Sequence, residues 1–479
     1  MSRADQVASE FDTTPTDAIA CMVAHEGPVF VDLDETLYLR NSTEDFIDLA
    51  RPGLIAALLL RLLDVLEPWR WSGGRTTRDV WRVRLVMAFF PWIRSQWARK
   101  VSTLARVFGN TQLLSAFERH AIHPIVLTAG FRPIVAPLVA ALGLPDAPIV
   151  AARLERCEDR VRGKLGCAIE ALGEETLRRG LLITDSLQDV AVLRACKLPM
   201  RTVWPGAFYR RALAHVYVPG EYLTRVKRPG THYIRRGILQ EDFAFWVLSS
   251  IALAAHPWLH TAGLLLLLVS FWAIYERGYV DNDEAAVRYE REPRVESAYW
   301  EFPVATPRVQ PWIWALALGA LGIVVLRWPE RPDPWDFVKW AAVLVGSYLW
   351  FKLYNRLDKQ TRVWLYAGLQ LARVAAFTVL VAVLPIGAVA LGANALSRWV
   401  PYHVYRCTGN RWPKRDESAL IRLTYFIVLA ALLGVAAGPY AVFNWTALML
   451  LLWNLYRARD AVKAMVESAR RLDRFGSEA

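Results

Sequence analysis

From about residue 242 to 456 the chain is a succession of apolar runs, at roughly 242–258, 261–277, 311–327, 336–353, 363–382, 385–401, 420–437 and 440–456. Runs of this length predict helices that cross a bilayer, although several are short for that task. The fifth carries Arg373 and could merge with the sixth. Charge favours eight spans with the N-terminus inside. The inward loops then hold Arg288, Arg291 and Arg294, next Arg356, Lys359 and Arg362, next Arg406, Arg411, Lys414 and Arg415. The tail adds Arg457, Arg459, Lys463, Arg470, Arg471 and Arg474, whereas the outward loops hold almost no Lys or Arg beyond Arg331. Cytoplasmic loops carry such an excess. Seven spans would turn the loop at Arg411–Arg415 outward.

Composition agrees with a chain that is part membrane and part cytosol. Hydrophobic residues make up 54% of 479, with 21 Trp, which is high for a soluble protein. The net charge of +12 fits inner loops against anionic headgroups. A nucleic-acid partner is not expected, because no basic stripe is interleaved with a reading motif. Cys21, Cys157, Cys167, Cys196 and Cys407 show no paired or zinc-binding spacing and read as reduced thiols. Met1 to Thr16 has no apolar signal core. The expected location is therefore the inner (plasma) membrane, multi-pass, with a cytoplasmic head and tail.

The head precedes the apolar runs. Residues 1–26 read as a flexible leader. Residues 27–205 alternate strand and helix patterns, with strands at Val29–Asp32, Ile125–Thr128, Ile149–Ala152, Leu181–Thr184 and Thr202–Trp204. Such alternation predicts an α/β, Rossmann-like parallel sheet. Residues 40–120 read as helix only, including Leu54–Leu66 and Val80–Ile93, and are rich in Arg and Trp. They are expected to form a helical cap. A cap that also rests on the bilayer through basic and aromatic side chains is compatible with this. Arg61, Asp64, Arg82 and Arg84 argue against a membrane span there. A basic connector (206–240) leads to an all-α bundle of about eight spans (241–457) and a tail (458–479).

The head carries the chemistry. Val29-Phe-Val-Asp-Leu-Asp-Glu-Thr36 is a strand that ends in Asp32-x-Asp34-x-Thr36, and open α/β sheets react at the carboxyl ends of their strands. A second strand ends at Thr128, Lys164 follows, and Asp185-Ser-x-x-Asp189 closes a third. In this order the motifs resemble the haloacid dehalogenase superfamily of phosphohydrolases. The resemblance implies Asp32 as nucleophile and Asp34 as general acid, then base. It implies Thr128 and Lys164 on the phosphoryl oxygens, and Mg2+ held by Asp32, Asp34, Asp185 and Asp189. A carboxylate nucleophile splits phosphate transfer into two easier steps, and Mg2+ takes oxygen ligands. The next helix reads as starting only around Cys167, which places Lys164 ahead of it.

After the second apolar run come Asn282, Asp283 and Glu290. Asp283 and Glu290 are seven apart and share a helical face. Intramembrane-edge acids are costly unless used. Together with Tyr348-x-x-x-Lys352, this region resembles the UbiA-type membrane prenyltransferases. That resemblance implies Mg2+ and a polyprenyl (di)phosphate at Asn282, Asp283, Glu290, Tyr348 and Lys352. It departs at Ala286, where an Asp is expected, and at the second acidic motif, where only Asp416 and Glu417 stand. The expected function is a bifunctional membrane enzyme: hydrolysis of a small phosphorylated substrate in the head, and prenyl transfer to a polar acceptor in the body. The alternatives are a membrane-anchored phosphatase whose body only docks lipid, and a non-enzymatic scaffold or transporter.

Overall fold

Five short strands form one all-parallel sheet in the order β3-β2-β1-β4-β5. They are β1 Val29–Val31, β2 Ile125–Phe131, β3 Ile149–Ala152, β4 Leu181–Thr184 and β5 Leu198–Arg201. β1 lies at the centre and is apolar on both faces. Phe30 packs with Leu127 and Leu182 in one layer, while Val29, Val31, Leu181 and Ile183 pack into the other. A parallel sheet covered on both sides needs such unalternating runs. Val31 is in register with Val126 on one side and with Ile183 on the other. Asp32 and Asp185 therefore leave β1 and β4 at the same edge of the sheet, while Thr128 lies within β2, which runs on to Phe131 rather than ending at Thr128 as the sequence suggests.

The computed structural model describes residues 9–293, 295–301, 307–408 and 418–468. The chain forms two units, Met1–Val216 and Tyr217–Ala479. Arg294, Arg411, Lys414, Arg415, Asp416, Glu417, Arg470, Arg471 and Arg474 lie outside the described residues.

Two expectations for the head are corrected. The leader is not loose from residue 9 onward. Thr14 caps the helix Pro15–Val23, whose Ala18 and Met22 are buried, and Thr13 N–H donates to the Arg201 carbonyl at 2.8 Å. The last strand is Leu198–Arg201, not 202–204. Pro199 obscures it in the sequence, but β5 is an edge strand, where a missing N–H is tolerated.

The cap consists of the helices Ser42–Asp48, Gly53–Leu66, Arg78–Phe89, Ile93–Phe108 and Thr111–Arg119. Trp97 is buried edge-on against Phe46 at 5.8 Å, and its indole N–H donates to the Ile134 carbonyl at 3.0 Å. Arg82 makes a two-pronged pair with Glu44 at 2.6 and 2.9 Å, and Ala212 N–H also donates to Glu44. One face of the Gly53–Leu66 helix stays exposed, presenting Leu54, Ile55, Leu58, Leu62, Val65 and Leu66.

The second unit is helical. Two π-helical turns, Leu223–Lys227 and Ile234–Phe243, lead into Ala244–Ser250. The long helices are Pro257–Tyr289, Gln310–Arg327, Pro334–Arg356, Arg362–Ala375, Pro385–Cys407, Ser418–Ala437 and Trp445–Ser468. Among the described residues only three are long and apolar enough to cross a membrane: Pro257–Tyr289, Gln310–Arg327 and Ser418–Ala437. This corrects the expected eight. The run at 242–258 breaks after Ser250. The run at 363–382 ends at Ala375, and its Arg373 is paired with Asp242 at 2.6 Å and stacked on Trp272. Pro334–Arg356, Pro385–Cys407 and Trp445–Ser468 have the length but carry charges within or near their ends, such as Lys339, Lys352, Arg398, Arg457 and Asp460.

The Glu44–Arg82 pair gives the head a pH dependence. Burial pushes the Glu44 carboxyl up, but Arg82 and the Ala212 N–H outweigh it and hold its pKa at about 2, against 4.5 for a free Glu. A depressed folded pKa contributes stability above the unfolded value and loses it as pH falls through the window between 4.5 and about 2. The amount is on the order of 3 kcal/mol. Denaturant unfolding of the head, followed against pH, should show this loss in wild type and a flatter profile in Glu44→Gln. Arg82→Met, which strands the carboxylate, should cost about 3 kcal/mol at neutral pH. Matching profiles for wild type and Glu44→Gln would contradict the assignment.

Candidate active site

Asp32 is the first residue after β1 and is 5% exposed. Its N–H still pairs with the Ile183 carbonyl at 2.9 Å, so the strand fixes it. Oδ1 accepts from the Leu33 N–H at 2.7 Å. Oδ2 faces Lys164 Nζ at 2.9 Å and Thr184 Oγ1 at 3.1 Å. Lys164 Nζ also meets Asp189 Oδ2 at 2.5 Å, and Thr184 Oγ1 lies 2.6 Å from that same oxygen. The single hydroxyl proton of Thr184 serves the shorter contact. The Lys164 ammonium thus ties two carboxylates from different strand ends together, and the Thr184 hydroxyl donates to one of them.

Local backbone explains how Lys164 arrives there. The helix Cys157–Leu172 is broken at Gly163, whose φ of 72° is left-handed, and Lys164 begins the segment beyond the kink. Glycine adopts that conformation without a Cβ penalty. The helix therefore restarts at Lys164 rather than around Cys167.

The turn after β1 is tight. Tyr38 N–H donates to the Leu33 carbonyl at 2.8 Å, and Glu35 takes a φ of 60°. Asp34 is turned toward the cap, where its Oδ1 accepts from Ser42 N–H at 2.7 Å. Thr36 Oγ1 lies 3.2 Å from both Asp185 Oδ1 and the Asp185 N–H, which links the first turn to the end of β4. Thr128 is buried, and its hydroxyl accepts from Gly130 N–H at 3.0 Å.

Negative charge is crowded at this edge. Burial pushes the Asp32 carboxyl up to about 7; Lys164 opposes that shift, and Asp189 and Asp185 add to it. Burial likewise pushes Asp34 to about 7, and burial with the nearby Glu35 pushes Asp185 to about 6. For Lys164, the paired carboxylates outweigh burial and raise its pKa above the usual lysine range, so it is charged at neutral pH.

A hard divalent cation fits this surplus of oxygen donors. The four expected ligands, Asp32, Asp34, Asp185 and Asp189, already have partners within the protein. Asp34 faces Ser42 and Asp189 is engaged by Lys164 and Thr184. Among the described residues no three acidic, His or Cys side chains stand together as a metal cage. Asp32 shares the Lys164 and Thr184 contacts of Asp189, and Asp185 meets the Thr36 hydroxyl. Thr184 stands outside the motifs that the sequence displays. Its only signal is a hydroxyl directly before Asp185 at a strand end.

The head is a Rossmann-like parallel sheet with a helical cap and acids gathered where β1 and β4 end. Residues 29–194 match the haloacid dehalogenase-like hydrolase family, and this stretch is a domain of that kind. No curated protein and no solved structure matches the chain.

In the second unit the acidic candidates are engaged. Asp283 is buried, with Lys227 Nζ at 2.5 Å and Tyr222 OH at 2.8 Å. Glu290 ends its helix and pairs with Lys359 at 2.7 Å and Arg362 at 3.7 Å. Asn282 precedes Asp283 on the same helix. Lys352 Nζ sits 4.9 Å over the Tyr348 ring, and Tyr348 packs edge-on against Trp312. Residue 286 contributes a buried alanine methyl.

Removing the ammonium tests the cluster. Lys164→Met leaves Asp32 and Asp189 facing each other and should destabilise the head by about 3 kcal/mol with chelator present. Gly163→Ala should cost about 1 kcal/mol through its left-handed backbone. Thermal melting reads both; an unchanged midpoint for Lys164→Met would contradict the contact.

Proposed function

We propose that the head hydrolyses a phosphomonoester through an aspartyl-phosphate on Asp32. The observation that supports this is the buried Asp32 carboxylate fixed by β1 and held by Lys164. An Asp32 oxygen attacks phosphorus and the bond to the leaving alkoxide breaks. Asp34, whose pKa near 7 suits proton transfer at neutral pH, gives its proton to that alkoxide. Water then attacks the phosphoryl group, Asp34 takes its proton, and the Asp32–phosphorus bond breaks to release phosphate. Lys164 and Thr128 offset charge on the phosphoryl oxygens. Thr36 and Thr184 orient Asp185 and Asp189. Mg2+ held by Asp32 and Asp185 would neutralise phosphoryl charge when bound.

The substrate class follows from the setting. The exposed row Leu54, Ile55, Leu58, Leu62, Val65 and Leu66, with Trp71, Phe89 and Trp92 also exposed, supports a cap that contacts lipid. Three helices among the described residues are long and apolar enough to span a membrane. We therefore read the protein as a membrane-anchored phosphatase acting on a phosphate ester presented at a lipid surface. Prenyl transfer from a polyprenyl (di)phosphate is not part of this reading, because the charges of Asp283 and Glu290 are taken by Lys227, Lys359 and Arg362.

Two outcomes are expected. Asp32→Asn lowers Mg2+-dependent hydrolysis of p-nitrophenyl phosphate by about 10³-fold or more, and chelation abolishes it in wild type; full activity in Asp32→Asn would contradict the scheme and favour a non-catalytic role. The double variant Leu58→Glu with Leu62→Glu keeps p-nitrophenyl phosphate turnover but loses about tenfold on a phosphate monoester embedded in vesicles. Equal loss on both substrates would contradict lipid contact by the cap.

A further inference from the structure

A second cluster of charge lies in the helical unit, away from the acidic pair discussed above. The π-helical segment Ile234–Phe243 places Glu241 and Asp242 side by side, and both are buried. Three guanidinium groups converge on Glu241. Arg457 lies at 2.7 Å, Arg398 at 3.9 Å, and Arg422 in direct contact. Asp242 takes Arg373 at 2.6 Å and Arg398 at 3.5 Å. Four arginines thus share two carboxylates. The arrangement is anchored from the far side, where Arg422 Nε donates to Asn454 Oδ1 at 2.8 Å and Arg457 Nη1 to Gln240 Oε1 at 2.8 Å.

The surplus faces a cavity of about 680 Å³. Its lining includes Arg235, Arg236, Arg398, Arg422, Arg457 and Arg459, against Glu241 and Asp460 among the described residues. Arg422 is 2% exposed, and its Nη2 finds no hydrogen-bond acceptor among the described residues. A buried guanidinium with an unanswered donor is expensive. Its helix, Ser418–Ala437, is one of the three able to cross a membrane, and Arg422 sits in the second turn. Basic pockets between such helices at the membrane edge bind phospholipid headgroups, and guanidinium matches phosphate oxygens in pairs.

We propose that this cavity binds a phosphate group, with Arg422 Nη2 donating to a phosphate oxygen and Arg235, Arg236 and Arg457 closing around it. The phosphate belongs either to an anionic lipid headgroup or to a free ion. The site is separate from the Asp32 centre and does not depend on its chemistry.

The full chain, purified in neutral detergent and offered phosphatidylglycerol against phosphatidylcholine, tests this by native mass spectrometry; inorganic phosphate is offered in a parallel melting series. Retention of phosphatidylglycerol, weakened at least about tenfold in Arg422→Gln and in the surface double variant Arg235→Gln with Arg236→Gln, supports the site with a lipid occupant. The double variant covers the case in which Arg422→Gln fails to fold. Stabilisation by inorganic phosphate, lost in the same variants and without lipid retention, supports the site with a free ion. Arg291→Gln, an exposed arginine outside this cavity, should bind as wild type. No preference for either anion, or equal loss in Arg291→Gln, overturns the proposal.

Discussion

Lys164 has two carboxylate partners in a place that excludes water, and most features of the head follow from that contact. An ammonium buried at 7% side-chain exposure between Asp32 and Asp189 is stable only because opposite charge surrounds it. In return it keeps Asp32 from being repelled out of the site by Asp185 and Asp189. The sheet supplies the rest. β1 and β4 are paired in register, so the two acidic turns that follow them must open at one edge, and the Thr36 and Thr184 hydroxyls bridge across it.

The cap bears on this edge through Asp34. That carboxylate accepts from Ser42 at the start of the first cap helix, while the next residues of the same helix hold the Glu44–Arg82 and Arg40–Asp45 pairs. A movement of this helix would change the Asp34 contact directly. The general acid in the proposed scheme is thus positioned by the cap, and the nucleophile by the sheet.

Much of the head was legible in the sequence, because its signals are local. Val29 to Thr36 is a buried strand and an acidic turn written consecutively, and Thr128 and Asp185 each close an apolar run. What escaped depended on context. Pro199 hides an edge strand; Thr184 looks like any strand residue until it is seen between two carboxylates; the helix of Lys164 restarts at a glycine whose φ no pattern displays. In the second unit the apolar runs did become helices. They overstated the spans in part because Arg373 is buried against Asp242, a partner 131 residues away in the chain. The acidic residues Asp283 and Glu290 read as ligands in isolation, yet lysines supplied by other segments neutralise them.

The covalent step is the centre of this account, and trapping it is the most direct measurement. The full chain, mixed with a phosphomonoester and Mg2+, quenched in acid and reduced with borohydride, should show the 29–37 peptide with Asp32 converted to homoserine. Hydrolysis that proceeds with no modified aspartate, or with the modification at another carboxylate, would contradict it.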